Sequence, residues 1–125
     1  MSRNGGWIGV DWDRTLVSYE TNPEGYDALK HGEPLWPMVN RVKNWLAEGR
    51  KVKIFTARVS GFDLETVEGK AGRALVIDSI QNELETVMGL PRLEVTCEKD
   101  YRCDQIWDDI AVTMIPNTGR PALIP

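Results

Sequence analysis

The feature that most constrains this chain is an alternation of short apolar runs with longer amphipathic ones. "WIGVD" (7–11), "KVKIFTA" (51–57), "RLEVTC" (92–97) and "DQIWDD" (104–109) have the length and apolar content of strands. Between the first two lies "PLWPMVNRVKNWLAEG" (34–49), with Leu35, Val39, Val42 and Leu46 at helical spacing. Pro37 suits its first turn and Gly49 its end. "AGRALVIDSIQNELETVMG" (71–89) predicts a second helix, its apolar stripe drawn from Ala74, Ile77, Ile80 or Gln81, Leu84 and Val87. Residues 18–33 and "RVSGFDLETVEGKAG" read as loops, the first with one helical turn around "GYDALK". "AVTMI" (111–115) is a candidate fifth strand. Strands alternating with helices make βαβ units, hence a parallel sheet with helices against its faces. The expected architecture is α/β, a three-layer α/β/α sandwich with a Rossmann-like parallel sheet. Residues 1–125 form a single domain without a substantial cap, because neither loop is long enough for its own core.

Ligands of such sheets bind beyond the carboxyl ends of the strands. There the first strand sets down Asp11 and Asp13, with Trp12 between them. Burying carboxylates is costly unless a charge or donor meets them. The second strand ends in Thr56, with Arg58 just beyond. The third runs out toward Lys99, and the fourth ends in Asp108 and Asp109. Carboxylates from two strands make a hard oxygen cage suited to Mg²⁺. One strand-one carboxylate can serve as nucleophile and the other as general acid and base. The Thr56 hydroxyl and the Lys99 charge suit phosphate oxygens, with Lys70 a weaker candidate. These are the parts of a phosphoryl-transfer site. Structural readings stand beside them. Asp11 and Asp13 can cap a turn; Lys99 can be a solvated loop lysine; Arg58 can pair with Asp63 or Glu65. Adjacent Asp108 and Asp109 resist a bland account, since they crowd like charges without a cation.

Taken in order, Asp11-Trp12-Asp13-Arg14-Thr15, "VKIFTAR", the Lys99 region and "IWDD" resemble the four motifs of the haloacid dehalogenase (HAD) superfamily of phosphohydrolases, across nearly the whole chain. The resemblance implies that Asp11 forms an aspartyl-phosphate and that Asp13 is the acid/base, with its backbone carbonyl on Mg²⁺. It implies Thr56 and Lys99 around the transferring phosphoryl group, and Asp109, then Asp108, on the metal. Small members of that family with "TAR" after the second strand imply that Arg58 lies near the substrate. The family usually has Gly where this chain has Arg14, and Gly permits backbone conformations that cost other residues free energy. Arg14 either fits there with a shifted turn or itself reaches toward a substrate anion, and with Thr15 and Arg58 it is a candidate substrate-binding residue.

The expected function is a Mg²⁺-dependent phosphomonoester hydrolase. Its partner would be a phosphorylated small molecule, nucleotide or glycan precursor. The rivals are a catalytically silent HAD-like binding protein, motivated by Arg14, and a polynucleotide 3′-phosphatase. A net charge of −4 and a pI near 5.0 argue against nucleic acid held through a basic surface. The sequence has no apolar run long enough to span a bilayer and no signal-peptide core, so a cytoplasmic location is expected. Cys97 and Cys103 read as two reduced thiols, a poor zinc set with the lone His31. His31 reads as an exposed loop residue; the tryptophans read as core or cleft wall, with Trp12, Trp36 and Arg58 candidate rim contacts of an open cleft. A neighbouring subunit can cover that cleft, so a homo-oligomer is allowed.

Overall fold

The computed structural model describes residues 5–19 and 26–123. The element order is β1 (Trp7–Val10), α1 (Trp36–Ala47), β2 (Lys51–Phe55), a 3-10 turn (Ala57–Val59), α2 (Val67–Thr86), β3 (Val95–Thr96) and β4 (Cys103–Trp107). Two further short strands follow, β5 (Met114–Ile115) and β6 (Arg120–Pro121). The first four strands form one parallel sheet in the order β3-β2-β1-β4. β1 is therefore central, with Val10 beside Ile54 on one flank and Trp107 on the other.

Right-handed crossovers that step twice in the same direction put both helices on one face. The core agrees. Ile8, Val10, Val52 and Ile54 share a buried cluster with Val39 and Val42 of α1 and with Val76, Ile80 and Leu84 of α2. Side chains alternate along a strand, so Trp7, Gly9, Lys53 and Phe55 point the other way. That second face is closed without a helix. The Trp7 indole N–H donates to Asp100 at 2.8 Å, and the Lys53 ammonium stands 4.6 Å from the ring centre. Lys53 also pairs with Glu94 at 2.9 Å and Asp100 at 3.8 Å. Gly9 is required by this packing, since a Cβ there would lie 2.9 Å from the Trp7 ring. The third layer expected of the sandwich is thus not among the described elements. Its place in the chain is the connection 97–102, and six residues are too few for a crossover helix.

α1 follows expectation, with Pro37 in its first turn and Gly49 just past its end at φ +80°. α2 begins four residues before the expected start. The Thr66 hydroxyl accepts from the Gly69 N–H at 2.9 Å and caps it, and Glu68 sits in the first turn. The glycines there look like loop residues but make room, since a Cβ on Gly69 would meet the Asp63 carbonyl oxygen at 1.8 Å. The buried stripe is Val76, Ile80, Leu84 and, past the helix end, Met88; Ala74 and Val87 are exposed. The helical turn around "GYDALK" is a single turn, closed by Lys30 N–H to Asp27 carbonyl at 3.1 Å; its Gly25 lies outside the described residues. "AVTMI" does not join the sheet. Met114–Ile115 pairs antiparallel with Arg120–Pro121 as a separate hairpin. Cys97 and Cys103 are both free thiols. No described helix is long and apolar enough to cross a membrane.

Candidate functional site

A cleft of about 510 Å³ opens at the carboxyl ends of β1, β2 and β4. Asp11, Asp13, Arg14, Thr56, Arg58, Asp108 and Asp109 line it. Parallel pairing of β1 with β4 makes the acidic part. Val10 lies beside Trp107, and the Asp11 N–H donates to the Trp107 carbonyl at 2.9 Å. The next residue on each strand is therefore a carboxylate. One carboxylate oxygen each from Asp11, Asp108 and Asp109 falls within 4.8 Å of the others. Burial, and then the charge of Asp108, push the Asp11 carboxyl up to about 7. A half-buried acid beside two more is the chemistry that a divalent cation satisfies. Asp13 is not part of this three-residue group.

Asp13 is held from the 3-10 turn that follows β2. Arg58 Nε donates to one Asp13 oxygen at 2.8 Å and Nη2 to the other at 2.7 Å. Its Nη1 donates to the carbonyls of Ala28 at 3.1 Å and Lys30 at 2.7 Å. The guanidinium also lies 5.4 Å from the Tyr26 ring centre. Arg58 is buried, so this is a bidentate ion pair drawn out of water. It pairs with Asp13 rather than with Asp63 or Glu65. Thr56 is buried at the end of β2, where its hydroxyl accepts from the Arg58 N–H at 3.2 Å and starts the 3-10 turn.

Other candidates fall elsewhere. Lys99 is exposed and does not line the cleft; its charge acts on Cys103, at the far end of β4. The 97–102 connection descends toward the amino end of the sheet and carries Lys99 with it. Lys70 is exposed in the first turn of α2. The Thr15 hydroxyl is buried, without a partner among the described residues, and outside the cleft lining. Trp12 is fully buried core rather than a rim contact, and Trp36, though half-exposed, does not line the cleft.

Sequence reasoning missed Tyr19, Tyr26, Phe55 and Ile110, which wall the cleft. It also misplaced His31. The Trp12 indole N–H donates to His31 Nδ1 at 3.0 Å, so the proton sits on Nε2, 2.7 Å from Ser79 Oγ. The available signal was Trp12 itself, since a buried indole needs an acceptor. Burial, and then the Arg58 charge, lower His31 from 6.5 to about 4. Between those values the unfolded chain takes up a proton that the fold refuses, so this contribution to stability is lost as pH falls from 6.5 to about 4. The loss should be about 1–3 kcal/mol after allowance for solvent screening. It is read as the difference between urea titrations of the wild type and His31→Gln over that range. A difference independent of pH would contradict it.

No family model, curated protein or solved structure matches the chain.

Proposed function

We propose that the protein is a Mg²⁺-dependent phosphomonoester hydrolase of HAD type, with a HAD-like arrangement of its Rossmann-like sheet. One observation carries the reading: carboxylates from two adjacent parallel strands converge to within 4.8 Å at the edge where such sheets bind ligands. Asp11, Asp108 and Asp109 would hold Mg²⁺, which when bound supplies charge neutralisation for the phosphoryl oxygens. The Asp11 carboxylate attacks phosphorus as the ester P–O bond breaks, and the leaving oxygen takes a proton from Asp13, which enters this step as the neutral acid with one oxygen released by Arg58. Water then attacks the aspartyl-phosphate, Asp13 takes its proton, and Asp11 leaves as carboxylate with free phosphate. Arg58 fixes the orientation of Asp13, and Thr56 offers its hydroxyl proton to a phosphoryl oxygen. The open cleft suits a cytoplasmic phosphorylated small molecule, nucleotide or glycan precursor.

The test is hydrolysis of a phosphomonoester panel with Mg²⁺ and with excess chelator. Chelation should abolish turnover, and Asp109→Asn should weaken Mg²⁺ binding. Mg²⁺ should also raise the unfolding midpoint, by about 2.7 kcal/mol of stability at a hundredfold excess over its dissociation constant. That gain should be larger at pH 8 than at pH 5, because Asp11, raised to about 7, has to ionise to bind the cation. Full activity in chelator would sink the reading. The catalytically silent rival has its own support in Arg58, which already occupies Asp13 on both oxygens. It predicts cation binding with no turnover on any member of the panel.

A further inference from the structure

Arg14 has φ +66°, a left-handed conformation rarely adopted by residues other than glycine and asparagine. Such a residue is strained and persists only where its surroundings hold it. Here they do. The N–H groups of Leu16 and Val17 both reach the Trp12 carbonyl at 3.0 Å, and the Arg14 N–H donates to the Val17 carbonyl at 2.7 Å. The turn delivers the guanidinium into the cleft, 4.0 Å from an Asp109 oxygen and 5.6 Å from the Tyr19 ring centre. Four ångströms is too long for a hydrogen bond, and among the described residues the Arg14 side chain makes none.

Among the described residues the cleft has no other usable cation. Arg58 spends its fork on Asp13 and its remaining nitrogen on two carbonyls. Lys99 points its charge elsewhere. Arg14 is thus the one lining cation among the described residues with uncommitted donors, and it lies beside Asp109, next to the three-carboxylate group. A planar fork of N–H donors matches a phosphoryl group in two places at once.

We propose that Arg14 is a catalytic residue that neutralises the transferring phosphoryl group, the part that the sequence assigns to Lys99. This rests on the phosphatase reading above. The strained turn exists to aim a guanidinium, where a glycine would leave the phosphoryl oxygens without a positive side chain.

The experiment compares wild type, Arg14→Gly, Arg14→Lys and Lys99→Met. Three quantities are read with Mg²⁺ present: kcat/KM on para-nitrophenyl phosphate, orthophosphate affinity by calorimetry, and unfolding midpoint. Arg14→Gly removes the backbone strain, so it should fold and melt at a higher temperature. It should lose about 10²–10³-fold in kcat/KM, the usual cost of removing one charge-stabilising donor. It should bind orthophosphate at least about tenfold more weakly, one tenfold step being about 1.4 kcal/mol. Arg14→Lys should fall between, and Lys99→Met should show the smaller losses. Losses confined to Lys99→Met would overturn the proposal. So would an Arg14→Gly protein that binds Mg²⁺ more tightly with unchanged orthophosphate affinity, since Arg14 would then be only a counter-ion of Asp109. A wild type that hydrolyses no phosphomonoester refutes the phosphatase reading instead, and orthophosphate affinity still decides whether Arg14 holds the anion.

Discussion

Asp11→Asn should cut turnover by on the order of 10⁴-fold or more, the scale of losing a nucleophile, while leaving a better-folded protein. The amide is nearly isosteric with the carboxylate but cannot form the acyl phosphate. Its effect on stability follows from the same burial. The wild-type carboxyl holds its proton up to about 7, whereas the unfolded chain releases it near 3.8. The folded state therefore binds the extra proton between those values, and stability falls as pH rises through them. Asn carries no such burden. Without metal, Asp11→Asn should exceed the wild type by about 1–3 kcal/mol at pH 8, after discounting for partial exposure, and by little at pH 4. Urea titrations in chelator at the two pH values measure this. Saturating Mg²⁺ should narrow the gap, because the cation takes over the charge. Equal stability at both pH values would mean that Asp11 is not strained by its neighbours. Wild-type turnover would remove it as the nucleophile.

Arg58→Met should be the most damaging single substitution to the fold around the cleft. It leaves the Asp13 carboxylate without its two donors and the carbonyls of Ala28 and Lys30 without theirs. Breaking a buried pair from one side typically costs about 3–5 kcal/mol. The double substitution Arg58→Met, Asp13→Asn should recover a sizeable part, since no charge is then left unpaired. Arg58→Lys should recover little, because one ammonium cannot serve two carboxylate oxygens and two carbonyls together. Chemical denaturation of these proteins together with the single Asp13→Asn variant decides it, and an additive double mutant would show that the pair is not coupled.

The acidic end of the cleft was legible in the sequence because it needs only local information. A strand that ends in a carboxylate keeps that carboxylate at the sheet edge, and parallel neighbours bring their edges together. Asp11, Asp108 and Asp109 are of this kind. Lys99 was not, because the path of a loop across a sheet depends on its length and on what anchors it, here Asp100 on Trp7. The same short connection leaves no crossover helix on that face among the described residues. His31 and Tyr26 were illegible for another reason. Their partners, Trp12 and Arg58, lie 19 and 32 positions away in the sequence, and neither pairing follows from any period. The early start of α2 was obscured by glycines, which sequence reading treats as breakers and packing here uses as space.

The bridge from β3 to β4 also acts as a gauge. From Thr96 to Cys103 the chain can reach roughly 23–25 Å when fully drawn out. It has to cross three strand positions, about 14 Å, and descend about four residues' worth of sheet, about 13 Å. That leaves only a few ångströms of slack, some of it taken up by the turn closed by the Cys103 N–H on the Asp100 carbonyl at 3.1 Å. The next irregularity is in β4 itself, where Trp7 faces Cys103 but Ile8 faces Gln105, so Asp104 is an extra residue bulged out of register. The phase of β4, and hence which of its side chains turn toward Asp11, is thus metered by a tether on the opposite side of the sheet. Shortening that tether by one residue would draw the bulge flat or slip the strand, and a slip of one exchanges its inward and outward faces. A loop remote from the cleft would then decide whether Asp108 and Asp109 meet Asp11 at all.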